Sequence, residues 1–363
     1  MKVAPLMRAA ARVPNVTQIL VHTGQHYDAA MSDVFFADLG LPAPDHFLGV
    51  GSGTQAEQTA KVMLGFEGVL EREAPDRVVV VGDVNSTVAA TLVAVKRGVP
   101  VDHVEAGLRS FDRTMPEEVN RVVTDALAAR LFTHSPEAVA HLIREGRPAE
   151  AIFPVGNVMV DSLFFYLPRA RARAAEVLAR EGLVAKGYGL VTLHRPANVD
   201  DPEALDELLA ILEQASRRLP LLFPVHPRTR ARLEAHRRAL PTGLRLAPPR
   251  GYLDFLALMD AARVVLTDSG GIQEETSALR VPCLTLRDTT ERPITCTLGT
   301  NVLVGRDRAR VAEELARVLD GAARPGEEIP QWDGRAAERI AAIWAGDARA
   351  LSVAADAERA VAE

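Results

Sequence analysis

The chain has 363 residues, 48% of them hydrophobic, with 42 Lys and Arg against 48 Asp and Glu, a net charge of −6 at pH 7 with histidine neutral. At about 150 residues per domain this is room for two domains with substantial cores, and its two cysteines, Cys283 and Cys296, are too few for a disulfide framework, so a reducing cytoplasm is expected. The acid excess argues against a general nucleic-acid binder, no apolar run approaches the about 20 residues of a spanning helix, and the N-terminus lacks the apolar core of a signal peptide.

In chain order, MKVAPLMRAAARVP reads as a helix with no strand before it. Short β-branched runs then alternate with helical stretches, the pattern of a parallel sheet covered on both faces. The first half offers strands at 16–23, 76–83, 99–106, 129–135 and 151–157. Between them Thr54 with Glu57 forms a capping box, and Ser135-Pro136 sets a cap residue before a proline at the first helical position. A helix is expected over 167–183, after which strands recur at 187–195, 219–226, 244–249, 262–269, 281–287 and 299–305. The pattern predicts an α/β fold with one doubly wound domain over 1–166, a second over 167–334, and a helical tail over 335–363 that crosses back to the first.

Polar residues gather where these strands end, the side of a doubly wound sheet on which ligands bind. If the halves face each other, both sets line one interdomain cleft. TDSGGIQEE (267–275) is a strand, a turn and a helix start: Ser269, Gly270 and Gly271 let backbone approach a phosphate, and the free N–H groups of the helix favour an anion. The competing role for Ser269 is that of a helix cap. His226, Arg228 and Arg230 in PVHPRTR add positive charge and donors suited to a diphosphate, and Arg287, Arg292 and Glu291 in LRDTTERP add a second charged loop close after the same helix. The first half instead collects carboxylates: Asp83, Glu105, Glu117 and Glu118. They can move protons if burial and neighbours tune them; alternatively Asp83 and Glu105 cap helices or pair with Arg109 and Arg121. A cationic phosphate site and a carboxylate site together point to acid–base chemistry on a group attached to a nucleotide. Metal ligation lacks any HExxH, paired Cys/His or DxD pattern, and nucleophilic catalysis lacks a G-x-S-x-G elbow.

The ordered set HTGQHYD, GDVNST, VEAGLRS, PEEVNR, VGNVMVDS, HRPANVD, DSGGIQEE and TTERP resembles the non-hydrolysing UDP-N-acetylglucosamine 2-epimerases from Lys2 to about residue 305. The resemblance implies two Rossmann-like domains of the GT-B type with an interdomain active site, and inversion of C2 of UDP-N-acetylglucosamine by elimination of UDP to a 2-acetamidoglucal and re-addition. It implies no cofactor and no metal, a cytoplasmic role in cell-surface polysaccharide biosynthesis, and a homodimer. Asp83, Glu105 and Glu117 match the proton-moving carboxylates, with base and acid not apportioned. Lys2, Arg121 and His194 match positions near the diphosphate or the reacting sugar. Phe255 matches a uracil-packing aromatic, Ser269, Gly270 and Gly271 the phosphate turn, Glu275 the ribose carboxylate and Arg292 a further UDP contact. Gln25 and His26 match a loop that binds a second, activating UDP-sugar in many members, but Tyr27 and Asp28 depart from it, and activation is not expected. The family's first strand and a diphosphate-binding arginine have no counterpart here, so a translation start about 10 to 15 residues upstream is expected, at strand-plus-loop length. The rival readings are a hydrolysing 2-epimerase, an epimerase of a modified UDP-sugar, a GT-B glycosyltransferase and a non-catalytic UDP-sugar binder.

Overall fold

The computed structural model describes residues 1–24, 40–225, 227–235 and 240–346, with the backbone alone at Pro196, Ala197, Pro227 and Arg228. The chain forms two compact units: one takes Met1–Ser162 together with the segment from Pro330 onward, the other Leu163–Ile329. The helix Val158–Arg180 starts in the first unit, continues into the second and carries Pro168 inside it. It begins nine residues before the expected 167, since VMVDSLFFY is apolar around most of its circumference and shows no helical stripe. Among the described residues no helix is long and apolar enough to cross a membrane.

In the first unit β1 (Val21–His22) pairs with β2 (His46–Phe47), and β3 (Val78–Val81), β4 (Val101–Val104), β5 (Arg130–Thr133) and β6 (Ile152–Pro154) form a four-stranded sheet in sequential order, every pairing parallel. β4 is buried along its whole length because helices cover both faces. On one face Phe66, Val69 and Leu70 of the helix Gln55–Glu73 pack with Ala90, Val93, Leu131 and Leu142. On the other, Leu6 and Ala9 of the helix Val3–Ala10 join Val104, Phe132 and Phe153 with Ala337 and Ile340 of the helix Ala336–Trp344. The capping box is present, Thr54 accepting from the Glu57 amide and Glu57 from the Thr54 amide. Ser135 precedes Pro136 at the helix start as expected but makes no side-chain cap bond.

In the second unit β7 (Gly189–Thr192), β8 (Leu221–Pro224), β9 (Leu244–Ala247), β10 (Val264–Thr267), β11 (Cys283–Thr285) and β12 (Asn301–Leu303) form one parallel sheet in the order β12-β11-β10-β7-β8-β9. That is the doubly wound order, and its reversal falls between β7 and β10, which pair from Gly189–Val264 to Thr192–Thr267. Leu205, Leu208, Leu209 and Leu212 of the helix Pro202–Ser216 pack with Val264, Leu266, Val311 and Leu315 over one face.

Candidate active site

The polar strand ends of the first unit converge on a chain of ion pairs. The helix Pro116–Leu127 opens on a proline, and its first turn carries Glu117 and Glu118. Arg121, one turn further on and fully buried, gives Nε and Nη2 to Glu118 Oε2 at 3.0 and 2.7 Å and Nη1 to Asp83, at the end of β3. The resemblance implies a place for Arg121 near the diphosphate or the reacting sugar, and the residues alone offer it as an ion-pair partner for the first-half carboxylates; its guanidinium contacts Asp83 and Glu118. Glu118 also accepts the Ser110 and Phe111 amides at 3.0 Å each. Burial pushes Glu118 up, but those amides and Arg121 outweigh it and hold the carboxyl below its ordinary value. Asn120 Nδ2 donates to the Asp83 carbonyl at 2.9 Å. Glu105, buried after β4, is paired with Lys2. Arg109 turns away from Glu105, making 2.7 Å to Asp125 and 2.8 and 2.6 Å to Glu145. Glu117 is half-buried and has no hydrogen-bond or ion-pair partner among the described residues.

Beneath these groups, His103 of β4 is fully buried with Nδ1 2.6 Å from Asp125 Oδ1 and Nε2 2.9 Å from the Gly82 carbonyl. Sequence reasoning missed both residues, since a histidine inside VDHVE carries no spacing signal.

In the second unit the loops after β7 and β10 meet at the sheet's reversal point. The Asp268 carboxylate is buried and accepts the His194 and Arg195 amides at 3.2 and 3.0 Å, Asn198 Nδ2 at 3.1 Å, and lies 3.0 Å from His194 Nδ1. Burial raises Asp268, but His194, the Arg195 amide and Asn198 outweigh it and leave the carboxyl below its ordinary value. The His194 side chain is 58% exposed, and its Nε2 has no partner among the described residues. Here too the sequence offered Asp268 only as part of the glycine turn, not as the partner of His194.

Ser269 stands at the N-cap of the helix Gly270–Leu279 without a side-chain cap bond, and no acidic residue occupies the helix's first turn. The amide dipoles there are thus left for an anion. Gly270 lets neighbouring side chains approach: a Cβ there would meet the Arg292 guanidinium and come within 2.8 Å of Glu291 Oε1. Arg292 gives Nε to Glu274 at 2.6 Å and Nη1 to Glu291 at 2.5 Å. Glu291 also accepts from Arg287 at 2.8 Å and Arg195 at 3.4 Å. Burial opposes its charge, but Arg292, Arg287 and Arg195 together drive its pKa far down. On the neighbouring helix Tyr252–Ala261, Phe255 is half-buried and the Tyr252 hydroxyl donates to Glu275 Oε1 at 2.8 Å. Arg228 falls on the helix Pro227–Ala235; His226, Gln25 and His26 lie outside the described residues.

Two α/β units with parallel sheets, one presenting carboxylates at its strand ends and the other, doubly wound, a cation-flanked glycine turn, define a protein of the GT-B type suited to a nucleotide-linked sugar. The chain belongs to the UDP-N-acetylglucosamine 2-epimerase family, whose model matches residues 8–345. It is 40% identical over 354 residues to a UDP-N-acetylglucosamine 2-epimerase of Methanocaldococcus jannaschii, with 94% of each chain covered. It is also 40% identical over 344 residues to the UDP-2,3-diacetamido-2,3-dideoxy-D-glucuronate 2-epimerase of Pseudomonas aeruginosa, again over 94% of each. Among solved structures, the Methanocaldococcus jannaschii UDP-GlcNAc 2-epimerase in complex with UDP-GlcNAc and UDP superposes with a TM-score of 0.86 at 40% identity, covering 94% of this chain and 95% of that one.

Proposed function

We propose that the protein interconverts UDP-N-acetylglucosamine and UDP-N-acetylmannosamine without net hydrolysis. A carboxylate removes the C2 proton, the C1–O bond breaks with its electron pair leaving on UDP, and the ring becomes a 2-acetamidoglucal. Re-addition of UDP at C1 and delivery of a proton to the opposite face of C2 completes the inversion. The observation that carries this reading is the carboxylate set at the ends of β3 and β4 and the adjoining helix start: Asp83 with Arg121, Glu105 with Lys2, and Glu117 with no partner among the described residues. A binding module has no use for three such groups, and transfer of the sugar leaves C2 untouched. Ser269, Gly270, Gly271 and Arg292 hold the departing diphosphate, Glu275 the ribose and Phe255 the uracil. His194, oriented through Nδ1 by Asp268, presents Nε2 to the reacting groups.

A second reading concerns the sugar. The 40% identity to the Pseudomonas aeruginosa enzyme supports a UDP-linked 2,3-diacetamido glucuronate as substrate equally well. Incubation of the protein with each UDP-sugar in deuterated water, followed by NMR, tests both. Deuterium at C2 with the epimeric UDP-sugar as product is expected. Stoichiometric free UDP and free sugar would identify a hydrolysing enzyme, and an unlabelled C2 would refute the mechanism.

A further inference from the structure

We infer that His103 is a buried imidazolium, protonated on both nitrogens, that grips the strand-end loops carrying Asp83 and Glu105 and is a positioning residue for the C2 proton transfer. This deepens the proposed epimerase chemistry and rests on it for the kinetic part alone.

The protonation state follows from donor and acceptor counting. Nε2 faces the Gly82 carbonyl at 2.9 Å, and a carbonyl can only accept, so Nε2 carries a hydrogen. Nδ1 faces Asp125 Oδ1 at 2.6 Å, while Asp125 Oδ2 already accepts the Gly107 amide at 3.0 Å and Arg109 Nη1 at 2.7 Å. A carboxylate receiving those two donors stays ionised, so the short Nδ1 contact also needs a hydrogen on the ring. The charged groups around the ring agree: Asp125 comes from the helix Pro116–Leu127 and Glu105 from the end of its own strand, with Arg109 and Lys2 paired behind them. Burial alone would lower the histidine, but Asp125, the Gly82 carbonyl and Glu105 outweigh it and raise its pKa. A buried charge without such partners would be prohibitively costly.

The positioning role follows from where the network attaches. The Gly82 carbonyl immediately precedes Asp83, and Gly107, whose amide Asp125 holds, lies two residues beyond Glu105. Gly82, Glu105 and Gly107 sit at φ of 76°, 75° and 80°, and for Glu105, which has a Cβ, that conformation persists only if its surroundings hold it. The Glu105 and Ala106 amides both donate to the Phe132 carbonyl at 3.0 Å, completing the grip. One ion network thus fixes the backbone beside two of the three candidate carboxylates and sets a permanent positive charge under Glu105.

The test uses the full chain labelled with 15N-histidine and needs no substrate for its first part. The His103 resonances, identified by their loss in His103→Gln, should show two protonated nitrogens at neutral pH, where an unperturbed imidazole has already lost one proton. One bare nitrogen near neutrality would overturn the assignment whatever the enzyme's reaction. In the second part, His103→Gln should lower kcat and deuterium entry at C2 by about 100-fold, the scale of a misplaced reacting group, with UDP affinity unchanged. A variant that is less heat-stable but turns over normally would show a purely structural histidine and refute the positioning role. Asp125→Asn, which keeps a hydrogen-bonding side chain but removes the charge, should yield a neutral His103 ring and the same kinetic loss. Absence of C2 exchange in the unmodified protein would refute the epimerase reading while leaving the charge of His103 decided by the spectrum.

Discussion

Glu275→Gln separates what a buried carboxyl costs the fold from what it gives to ligand binding. Burial, with Glu274 beside it, pushes the Glu275 carboxyl from the ordinary 4.5 up to about 7, the Tyr252 hydroxyl only partly offsetting this. A carboxyl raised in the folded state stabilises the fold in its protonated form. That contribution is complete below the unfolded value and is lost as pH climbs through about 7. At about 1.4 kcal/mol per pH unit the rise amounts to about 3 kcal/mol. Glutamine keeps an acceptor for Tyr252 and cannot ionise. Relative to the parent chain, the variant should be near neutral in stability at about pH 4.5 and more stable by up to about 3 kcal/mol at about pH 8. At about 2–4 °C per kcal/mol, that is a gain of about 6–12 °C in the unfolding midpoint of the second unit. Calorimetric scans of both proteins at the two pH values, without nucleotide, measure it. A midpoint difference that is the same at both pH values would refute the reasoning. If the ionised carboxylate accepts the ribose hydroxyls, the stabilised variant should also bind UDP more weakly at the higher pH, by titration calorimetry.

Glu117→Gln should reduce C2 deuterium exchange by about 100- to 10,000-fold, the range for a lost acid–base group, with UDP affinity and melting temperature unchanged, since Glu117 has no partner among the described residues to lose. Asp268→Asn removes the charge opposite His194 Nδ1; kcat should fall while the UDP dissociation constant stays constant, whereas a loss confined to UDP binding would assign Asp268 to the phosphate turn instead. Gly270→Ala sets a Cβ against the buried ends of Arg292 and Glu291, which must shift. It should destabilise the chain by about 1–3 kcal/mol, the usual cost of overpacking, and weaken UDP binding, both measurable in one thermal titration.

The strands were legible because parallel sheets covered on both faces need unbroken β-branched runs: Val78–Val81 and Val264–Thr267 sit inside the expected 76–83 and 262–269. β2 was not, because His46–Phe47 is two residues long and owes its form to pairing with β1 and to the stacking of Phe47 on His22. The expected strand at 16–23 shortens to Val21–His22 for the same reason, its partner being equally brief. The candidate site was legible where residues lie in loops after strands, as with Asp83, His194 and Ser269. The groups that hold those residues were not. His103 and Asp125 sit inside a strand and a helix, where only the three-dimensional pairing of Nδ1 with a carboxylate sets them apart from ordinary interior residues.

The first unit is assembled from the two ends of the chain. Trp332 donates to the His134 carbonyl at 2.9 Å, the Ala336 and Ala337 amides meet Asp161 at 3.1 and 2.7 Å, and Trp344 donates to buried Asp102 at 2.8 Å. During synthesis, therefore, the ribosome releases all of Leu163–Ile329 before Ala337 and Ile340, which complete the cover that Leu6 and Ala9 begin over Val104, Phe132 and Phe153, exist. The part made first is finished last. A message stalled or terminated after Ile329 yields a chain with all the residues of its second unit and, in its first, an apolar sheet face only partly covered by Leu6 and Ala9, the kind of surface that chaperones hold and proteases remove.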